Sequence, residues 1–239
     1  MKDQYFGDAG DYGKYGLLRF IAEKGIKIGV HWYLTDSDDS NDGKHTAYLS
    51  DKKMKEFDPE LHQTLGEMVA KKETRKTLVF EDKKMIPNAI YFHEIVPQNI
   101  NGKRNEWHKK ALEFFKDCDL VFMDPDNGLL GKQRKHKEKF CLPKEVYDFY
   151  KAGIDVVYYC SKGRRSNEAW EEYKTVMKQY LPDSEILVIT YHKGTQRSYI
   201  FVLHLKSKEK YAGWLNAFLE KWKDLFTEEA SKKKARERE

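Results

Sequence analysis

The chain has 239 residues, of which 40% are hydrophobic and 35% are charged, and its formal net charge is +5. This length and apolar content suit one sizeable α/β domain or two small ones, with enough apolar residues for a real core. Three widely spaced cysteines argue against a disulfide framework, and they have no zinc-ligand spacing. Neither a signal peptide nor a bilayer-spanning apolar run is present, so we expect a soluble, cytoplasmic protein with no membrane partner.

Apolar runs and apolar stripes with helical spacing alternate along the chain. Strands are predicted at 27–34, 77–80, 89–95, 120–123 and 154–160, and a hairpin at 185–191 and 197–205. Helices are predicted after Asp11 and at 50–75, 106–116, 143–153, 167–181 and 208–226. This alternation predicts an α/β fold, with a mostly parallel sheet, helices on both faces and a terminal antiparallel hairpin. Residues 1–239 form one predicted domain, with a glycine-rich segment and helix at 1–26 and a frayed charged tail at 227–239.

The main candidate for a functional site lies in residues 119–129. A run of four apolar residues predicts a buried strand, which Pro125 and Gly128 must end. Asp124, Asp126 and Asn127 follow that strand directly, at the edge where open α/β sheets bind ligands. We therefore predict that these three residues are catalytic. An ordinary turn accounts for the same Pro-Asp-Asn-Gly sequence equally well.

A glycine-rich segment near the amino terminus is the second candidate. Its glycines are too many for an ordinary helix start, so they indicate a close backbone approach to a ligand or to another element. The segment does not match a phosphate-binding P-loop. The candidate cofactor-binding residues here are Phe6, Gly7, Asp8, Gly10 and Asp11, although Asp11 could also cap the helix that follows.

An acidic stretch follows the first predicted strand, with four aspartates in the seven residues that begin at Asp36. Carboxylates in such a loop could hold a hard cation such as magnesium. If Asp36 and Asp38 converge with Asp124 and Asp126, these four residues form a candidate divalent-metal site. A solvated acidic loop is the alternative.

Two basic loops, at 132–139 and 162–165, follow predicted strand ends. Basic clusters suit a polyanionic partner such as DNA or RNA, whose phosphates they would hold. A solvated charged face is the alternative. The candidate nucleic-acid-binding residues are Lys132, Arg134, Lys135, Lys162, Arg164, Arg165, His192 and Arg197.

Two motifs resemble a known family. Asp124-Pro125-Asp126-Asn127 resembles the [Asp/Asn]-Pro-Pro-[Tyr/Phe] motif of adenine-N6 methyltransferases that use S-adenosylmethionine. Residues 6–11 are similar to the Phe-His-Ala-Gly-Asn stretch of the large-subunit ribosomal RNA adenine-N6 methyltransferase J family, and the later elements follow in a similar order. The resemblance implies a Rossmann-like fold, S-adenosylmethionine as cofactor with Asp36 near it, and hydrogen bonds from Asp124 and Asn127 to a base. The chain differs where that family has a glycine-rich loop, here acidic, and a stacking aromatic, here Asn127.

Three functions fit these features. The first is an enzyme that modifies a flipped base in nucleic acid on a methyltransferase-like scaffold, which needs no metal. The second is a DNA glycosylase that uses Asp124, Asp126, Asn127 and His192, or a metal-dependent nuclease, either of which would suit defence against foreign DNA. The third is a non-catalytic protein that binds nucleic acid through its basic loops. We expect an enzyme that acts on nucleic acid.

Overall fold

A computed structural model describes residues 2–3, 6–36, 45–98, 102–131, 135–163 and 165–229 of the chain. Seven strands in these residues form one sheet. The strands are β1 Ile28–His31, β2 Ile90–Phe92, β3 Leu120–Met123, β4 Asp155–Ser161, β5 Glu185–Tyr191, β6 Arg197–Leu203 and β7 Phe226–Glu228. Their order across the sheet is β2-β1-β3-β4-β6-β5-β7.

The pairing of the strands confirms the predicted fold class. Strands β2, β1, β3 and β4 are mutually parallel. Strand β6 lies between β4 and β5 and is antiparallel to both. The parallel part of the sheet therefore ends at β4, next to the β5–β6 hairpin. Strand β7 adds a short antiparallel edge to β5.

Helices cover both faces of the sheet. They are α1 Ala9–Ala22, α2 Lys52–Phe57, α3 Pro59–Ala70, α4 Thr77–Asp82, α5 Lys103–Phe114, α6 Pro143–Lys151, α7 Asn167–Thr175, α8 Met177–Tyr180 and α9 Lys208–Trp222. Because side chains alternate along a strand, Phe122 packs into a core with α1, α3 and α9, whereas Val121 packs into a second core with α5, α6 and α7. Within the described residues, none of these helices has the length and apolar character needed to cross a membrane.

Several predicted elements differ in the structure. The helix predicted at 50–75 contains two α-helices, α2 and α3, and the helix predicted at 167–181 is divided into α7 and α8. The predicted strand at 77–80 is the first part of helix α4, because a short apolar run does not distinguish the two structures. The Asp3 carboxylate accepts hydrogen bonds from the backbone nitrogen and hydroxyl of Thr77, at 3.0 and 2.9 Å, at the start of α4. The tail predicted from residue 227 begins as strand β7, and the Glu229 carboxylate accepts a hydrogen bond from the Trp170 indole at 3.1 Å.

The glycines of α1 bring the helix close to neighbouring side chains. A Cβ atom on Gly13 would lie 2.7 Å from the Tyr191 ring, and one on Gly16 would lie 2.4 Å from the Trp222 ring. A Cβ atom on Gly10 would lie 2.2 Å from the Arg197 guanidinium. The glycines were predicted to allow close approach either to a ligand or to another element. Close approach to another element accounts for all three.

We expect Gly13→Ala to lower the free energy of unfolding by roughly 1–3 kcal/mol, because the added methyl group overlaps the Tyr191 ring. The matched control is Gly213→Ala in α9, where no atom lies within 4 Å of the added Cβ. That change should raise the free energy of unfolding by roughly 0.5–1 kcal/mol, the ordinary gain in a helix interior. Denaturant unfolding of both variants measures the difference, and equal stabilisation would contradict the close packing.

Candidate functional site

A cleft of about 320 Å³ opens at the carboxyl ends of β3 and β4, which is within the size range of small-molecule sites. Its lining residues are Asp8, Gly10, Asp11, Lys14, His45, Asp124, Pro125, Asp126, Asn127, Lys139, Tyr159, Thr195 and Arg197. We call it the first cleft. All three predicted catalytic residues and three of the predicted cofactor-binding residues thus lie in one place.

A buried ion triad forms part of this cleft. The Lys14 ammonium lies 2.6 Å from Asp11 Oδ1 and 2.7 Å from Asp124 Oδ2. All three side chains are buried, with at most 5% of each exposed. Asp124 is held from the other side as well, because its backbone nitrogen donates to the His31 carbonyl in β1 at 2.9 Å. The triad therefore ties the amino-terminal helix to the end of the central strand.

Burial and charge act against each other in the triad. Burial raises the pKa of the Asp124 carboxyl, and the adjacent Lys14 ammonium opposes that shift. Burial alone would lower the pKa of Lys14, but the charges of Asp11 and Asp124 outweigh it and hold that pKa above its usual range. Lys14 is therefore a charged ammonium at neutral pH, and it favours the ionised form of Asp124.

The start of α1 builds one wall of the first cleft. The Asp8 side chain accepts a hydrogen bond from the Asp11 backbone nitrogen at 3.0 Å and so caps the helix. Burial and the nearby Asp11 raise the pKa of Asp8, and the Arg197 guanidinium, 2.8 Å away, opposes that shift. Gly7 donates its backbone N–H to Asp11 Oδ2 at 2.8 Å. Phe6 does not line the cleft, since it is fully buried in the core.

The loop after β3 is held by contacts on both sides. The half-buried Asp126 accepts a hydrogen bond from the Thr35 hydroxyl at 3.3 Å, whereas the side chain of Asn127 is exposed. Gly128 has a φ of +95°, and a Cβ atom there would lie 2.9 Å from the Tyr173 hydroxyl. That hydroxyl bonds both backbone polar groups of Leu129, donating to its carbonyl at 2.8 Å and accepting from its nitrogen. These contacts anchor the loop at Asp126 and at Leu129.

A second cleft, of about 260 Å³, lies beside the carboxyl ends of β1 and β2. Its lining residues are Lys2, Thr35, Asp36, Val96, Gln98, His136, Glu138 and Lys139. Lys139 lines both clefts, and the Thr35–Asp126 hydrogen bond lies between them. The chain leaves β1 for β2 on one side and returns to β3 on the other, so the two clefts flank the topological switch point of the sheet.

The four aspartates of the metal hypothesis do not share one cleft. Asp36 lines the second cleft, whereas Asp124 and Asp126 line the first. Asp38 lies outside the described residues. Among the residues that are described, no three His, Cys, Asp or Glu side chains are grouped so that they could hold a metal ion.

The predicted nucleic-acid-binding residues that the structure describes are dispersed. Arg197 lines the first cleft, and Lys135 is exposed but lines neither cleft. Lys132, Arg134 and Arg164 lie outside the described residues. The exposed His192 lies outside both clefts, with Nε2 at 2.7 Å from the Thr227 hydroxyl.

The described part of the second basic loop makes local contacts. Lys162 donates to Asn167 Oδ1 at 2.5 Å. The Arg165 guanidinium donates to the Ser161 carbonyl at 2.8 Å and lies 4.1 Å from the centre of the Tyr173 ring. Arg165 therefore helps to hold Tyr173, which in turn holds the loop after Asp124.

Lys14 and Tyr159 line the first cleft but were not predicted as site residues, whereas Lys139, which also lines it, belongs to the predicted basic loop at 132–139. Lys14 follows Asp11 by three residues, so the two side chains share a helix face. Lys14 is flanked there by glycines and tyrosines, and that isolated charge on a buried face was the available signal. Its contact with Asp124 joins residues 110 positions apart and has no local signature.

A second buried polar cluster lies under β1, on the opposite face of the sheet from α1. The His31 ring is fully buried, with the ring centres of Tyr33, Trp107 and Phe92 at 4.4, 4.6 and 5.1 Å. Neither ring nitrogen has a hydrogen-bond partner among the described residues. Burial lowers the pKa of His31 well below its usual range, and the charges of His108 and Arg104 add to the shift.

This histidine predicts a loss of stability in acid. As the pH falls below about 6.5, the unfolded chain takes up a proton at His31 that the native state does not accept. His108, whose pKa burial also lowers, acts in the same direction. Each such histidine makes the free energy of unfolding rise with pH, by at most about 1.4 kcal/mol per pH unit. Denaturant unfolding between neutral and acidic pH should show a smaller slope of unfolding free energy against pH for His31→Leu than for the wild type.

Comparison with known proteins assigns no family. No family model, curated protein or solved structure matches the chain. The functional interpretation therefore depends on the geometry and chemistry of the two clefts.

Proposed function

We propose that this chain is an enzyme that modifies a base of DNA or RNA, transferring a methyl group to an exocyclic amine at the first cleft. The observation that carries the proposal is the position of Asp124. Its carboxylate lies at the carboxyl end of a central parallel strand, buried in a cleft, and a buried lysine contacts it at 2.7 Å. The resemblance of residues 124–127 to the adenine-N6 methyltransferase motif supports the same chemistry.

A carboxylate suits an amine substrate for a simple reason. A base amino group donates hydrogen bonds, and an ionised carboxylate only accepts them. Asp124 would orient the amine and stabilise the positive charge that grows on its nitrogen as the new bond forms, and it would take up the proton that this nitrogen then releases. Lys14 would keep Asp124 ionised and fixed in place. Asn127, exposed at the rim of the cleft, could add a hydrogen bond to the base.

The second cleft has a donor set that fits S-adenosylmethionine. That cofactor carries an ammonium, a sulfonium and a carboxylate, and the cleft is lined by charges of both signs. Lys2 and Lys139 would hold its carboxylate, and Asp36 and Glu138 would hold its ammonium. When bound, the cofactor supplies the methyl group. Because Lys139 lines both clefts, a cofactor in the second cleft would lie beside the base in the first.

The surroundings of the clefts favour a nucleic-acid substrate. Lys139 lies at the junction of the two clefts, and Lys135, four residues earlier, is exposed. Lys135 would contact phosphates and contribute affinity that falls with salt. All three cysteines are unpaired, which favours a reducing compartment, so the proposal includes a cytoplasmic location.

Calorimetric titration with S-adenosylmethionine tests the proposal, together with thermal unfolding in its presence. We expect binding heat and a raised unfolding temperature, because a ligand that binds only the native state stabilises it. Lys139→Met should weaken binding. The control Lys144→Met removes an exposed lysine of α6 and should leave binding unchanged. The absence of both heat and thermal protection in the wild-type protein would refute the methyl-transfer proposal.

A further inference from the structure

A base-modifying enzyme needs a flat, apolar surface for the base, and the first cleft lacks one at the expected position. Enzymes that act on an extruded base hold it by stacking as well as by hydrogen bonds. In the similar family, the last residue of the motif is an aromatic that stacks on the base. Asn127 occupies that position here, and its side chain is exposed. If the proposed function is correct, another residue of this chain must supply the stacking surface.

Two aromatic side chains line the first cleft within the described residues, Tyr159 and His45. His45 is exposed, and its backbone carbonyl is bound to the Ala9 nitrogen at 2.9 Å. Tyr159 is half-buried and packs against the core beneath α1. Of the two, the half-buried Tyr159 offers the better stacking surface, because the core against which it packs fixes its position.

The sheet places Tyr159 beside Asp124. Strands β3 and β4 are parallel, and Met123 is paired with Tyr158, so the residue after each lies at the same level. Side chains alternate along a strand, which puts Tyr159 on the same face as Val157, and Asp124 on the same face as Phe122. Both of these faces are toward α1. Tyr159 is therefore the next side chain along the cleft from the candidate catalytic carboxylate.

The contacts of Tyr159 leave its polar end uncommitted. Its hydroxyl makes no hydrogen bond within the described part of the chain, and its ring packs edge-on to Tyr199 at 6.4 Å between centres. Burial raises the pKa of Tyr159 to about 12, so the side chain is neutral under all ordinary conditions. A neutral ring suits stacking on an uncharged base.

We infer that the substrate base stacks on Tyr159. This tyrosine of β4 would fill the role of the aromatic residue that is missing at position 127. The inference rests on the proposed function and deepens it, because it assigns base binding to a neighbouring strand. It also defines the substrate as a base that is already extruded or single-stranded, since a ring inside this cleft cannot reach a base within an intact duplex.

The probe is a single-stranded oligonucleotide, as DNA and as RNA, that carries one 2-aminopurine, a fluorescent base with an exocyclic amine. Stacking on an aromatic ring should quench the fluorescence of this base. Because stacking is worth about 1–3 kcal/mol per base, Tyr159→Leu should weaken binding roughly five- to 150-fold and abolish the quenching. Tyr159→Phe keeps the ring and should bind within about twofold of the wild type. Tyr180→Leu, an exposed tyrosine outside both clefts, is the control and should have no effect.

The outcomes separate the inference from the proposed function. If wild type binds and quenches the probe and Tyr159→Leu does the same, the stacking role is wrong while the proposed function stands. A loss in Tyr159→Phe as large as in Tyr159→Leu would also overturn it, because the hydroxyl would then carry the contact. A selective loss in His45→Leu would assign stacking to His45 instead. If the wild-type protein binds neither probe, the inference and nucleic-acid binding are refuted together. The titration with S-adenosylmethionine would still test the cofactor site separately.

Discussion

Replacing Lys14 by methionine lowers the free energy of unfolding at neutral pH by about 3–5 kcal/mol, the usual cost of removing one partner of a buried ion pair. The change keeps most of the side-chain volume but leaves Asp11 and Asp124 buried, close together and without the ammonium that contacts both. The pKa of Asp124 then rises further, because burial raises it and the opposing charge is gone. We expect the deficit to shrink as the pH falls, since protonation removes the unpaired charge.

Denaturant unfolding as a function of pH measures this effect. The matched control is Lys144→Met, which removes an exposed lysine paired with Asp148 at 2.7 Å in α6 and should change stability little. The double variant Lys14→Met/Asp124→Asn should recover part of the loss, because it removes one of the stranded carboxylates. If Lys14→Met and Lys144→Met are equally stable, the buried triad does not support the fold.

Arg104→Met should cost a similar amount, about 3–5 kcal/mol, because it strands the buried Glu145 carboxylate. The Arg104 side chain is fully buried, and it donates to the two oxygens of Glu145 at 2.7 and 3.0 Å. It also donates to the Phe140 carbonyl at 2.8 Å, directly after Lys139. Losing that anchor should loosen the wall that the two clefts share, so S-adenosylmethionine binding should weaken as well.

The control for Arg104 lies on the same helix. Lys110 pairs with Glu94 at 3.1 Å, but both side chains are about half exposed, at 62% and 48%. Lys110→Met should therefore leave both stability and cofactor binding close to wild type. Unfolding curves and calorimetric titration of the two variants test the prediction. A tolerated Arg104→Met would show that the hydrogen bonds to Glu145 from the Tyr33 hydroxyl and the Leu142 nitrogen suffice without the guanidinium.

Local sequence patterns were sufficient to predict most of the fold. The apolar runs at Leu120–Met123 and Asp155–Ser161 form the predicted parallel strands, and the Glu185–Tyr191 hairpin pairs as expected. These elements are predictable because burial of each strand is encoded in consecutive residues. The place of Asp124 followed from the same reasoning, since the end of a buried parallel strand lies at the ligand-binding edge.

The remaining features of the fold and of the site depend on contacts between residues that are far apart in the sequence. The charge state and support of Asp124 come from Lys14, 110 residues earlier, and no local pattern encodes that contact. Similarly, helix α4 begins where Asp3 binds Thr77, 74 residues away, so a run with strand-like composition becomes a helix. Whether Asp36 and Asp124 converge was also a question of loop placement, and they line adjacent clefts.

One measurement tests the central claim most directly: the nucleoside composition, by mass spectrometry, of single-stranded DNA and RNA incubated with the protein and S-adenosylmethionine. We predict a nucleoside that has gained one methyl group on its exocyclic amine. We expect Asp124→Asn to slow its formation roughly a hundredfold to ten-thousandfold, the range typical for loss of a positioned acid–base group. Free bases, abasic sites or cleaved strands formed without S-adenosylmethionine would contradict the account, as would full methylation by Asp124→Asn.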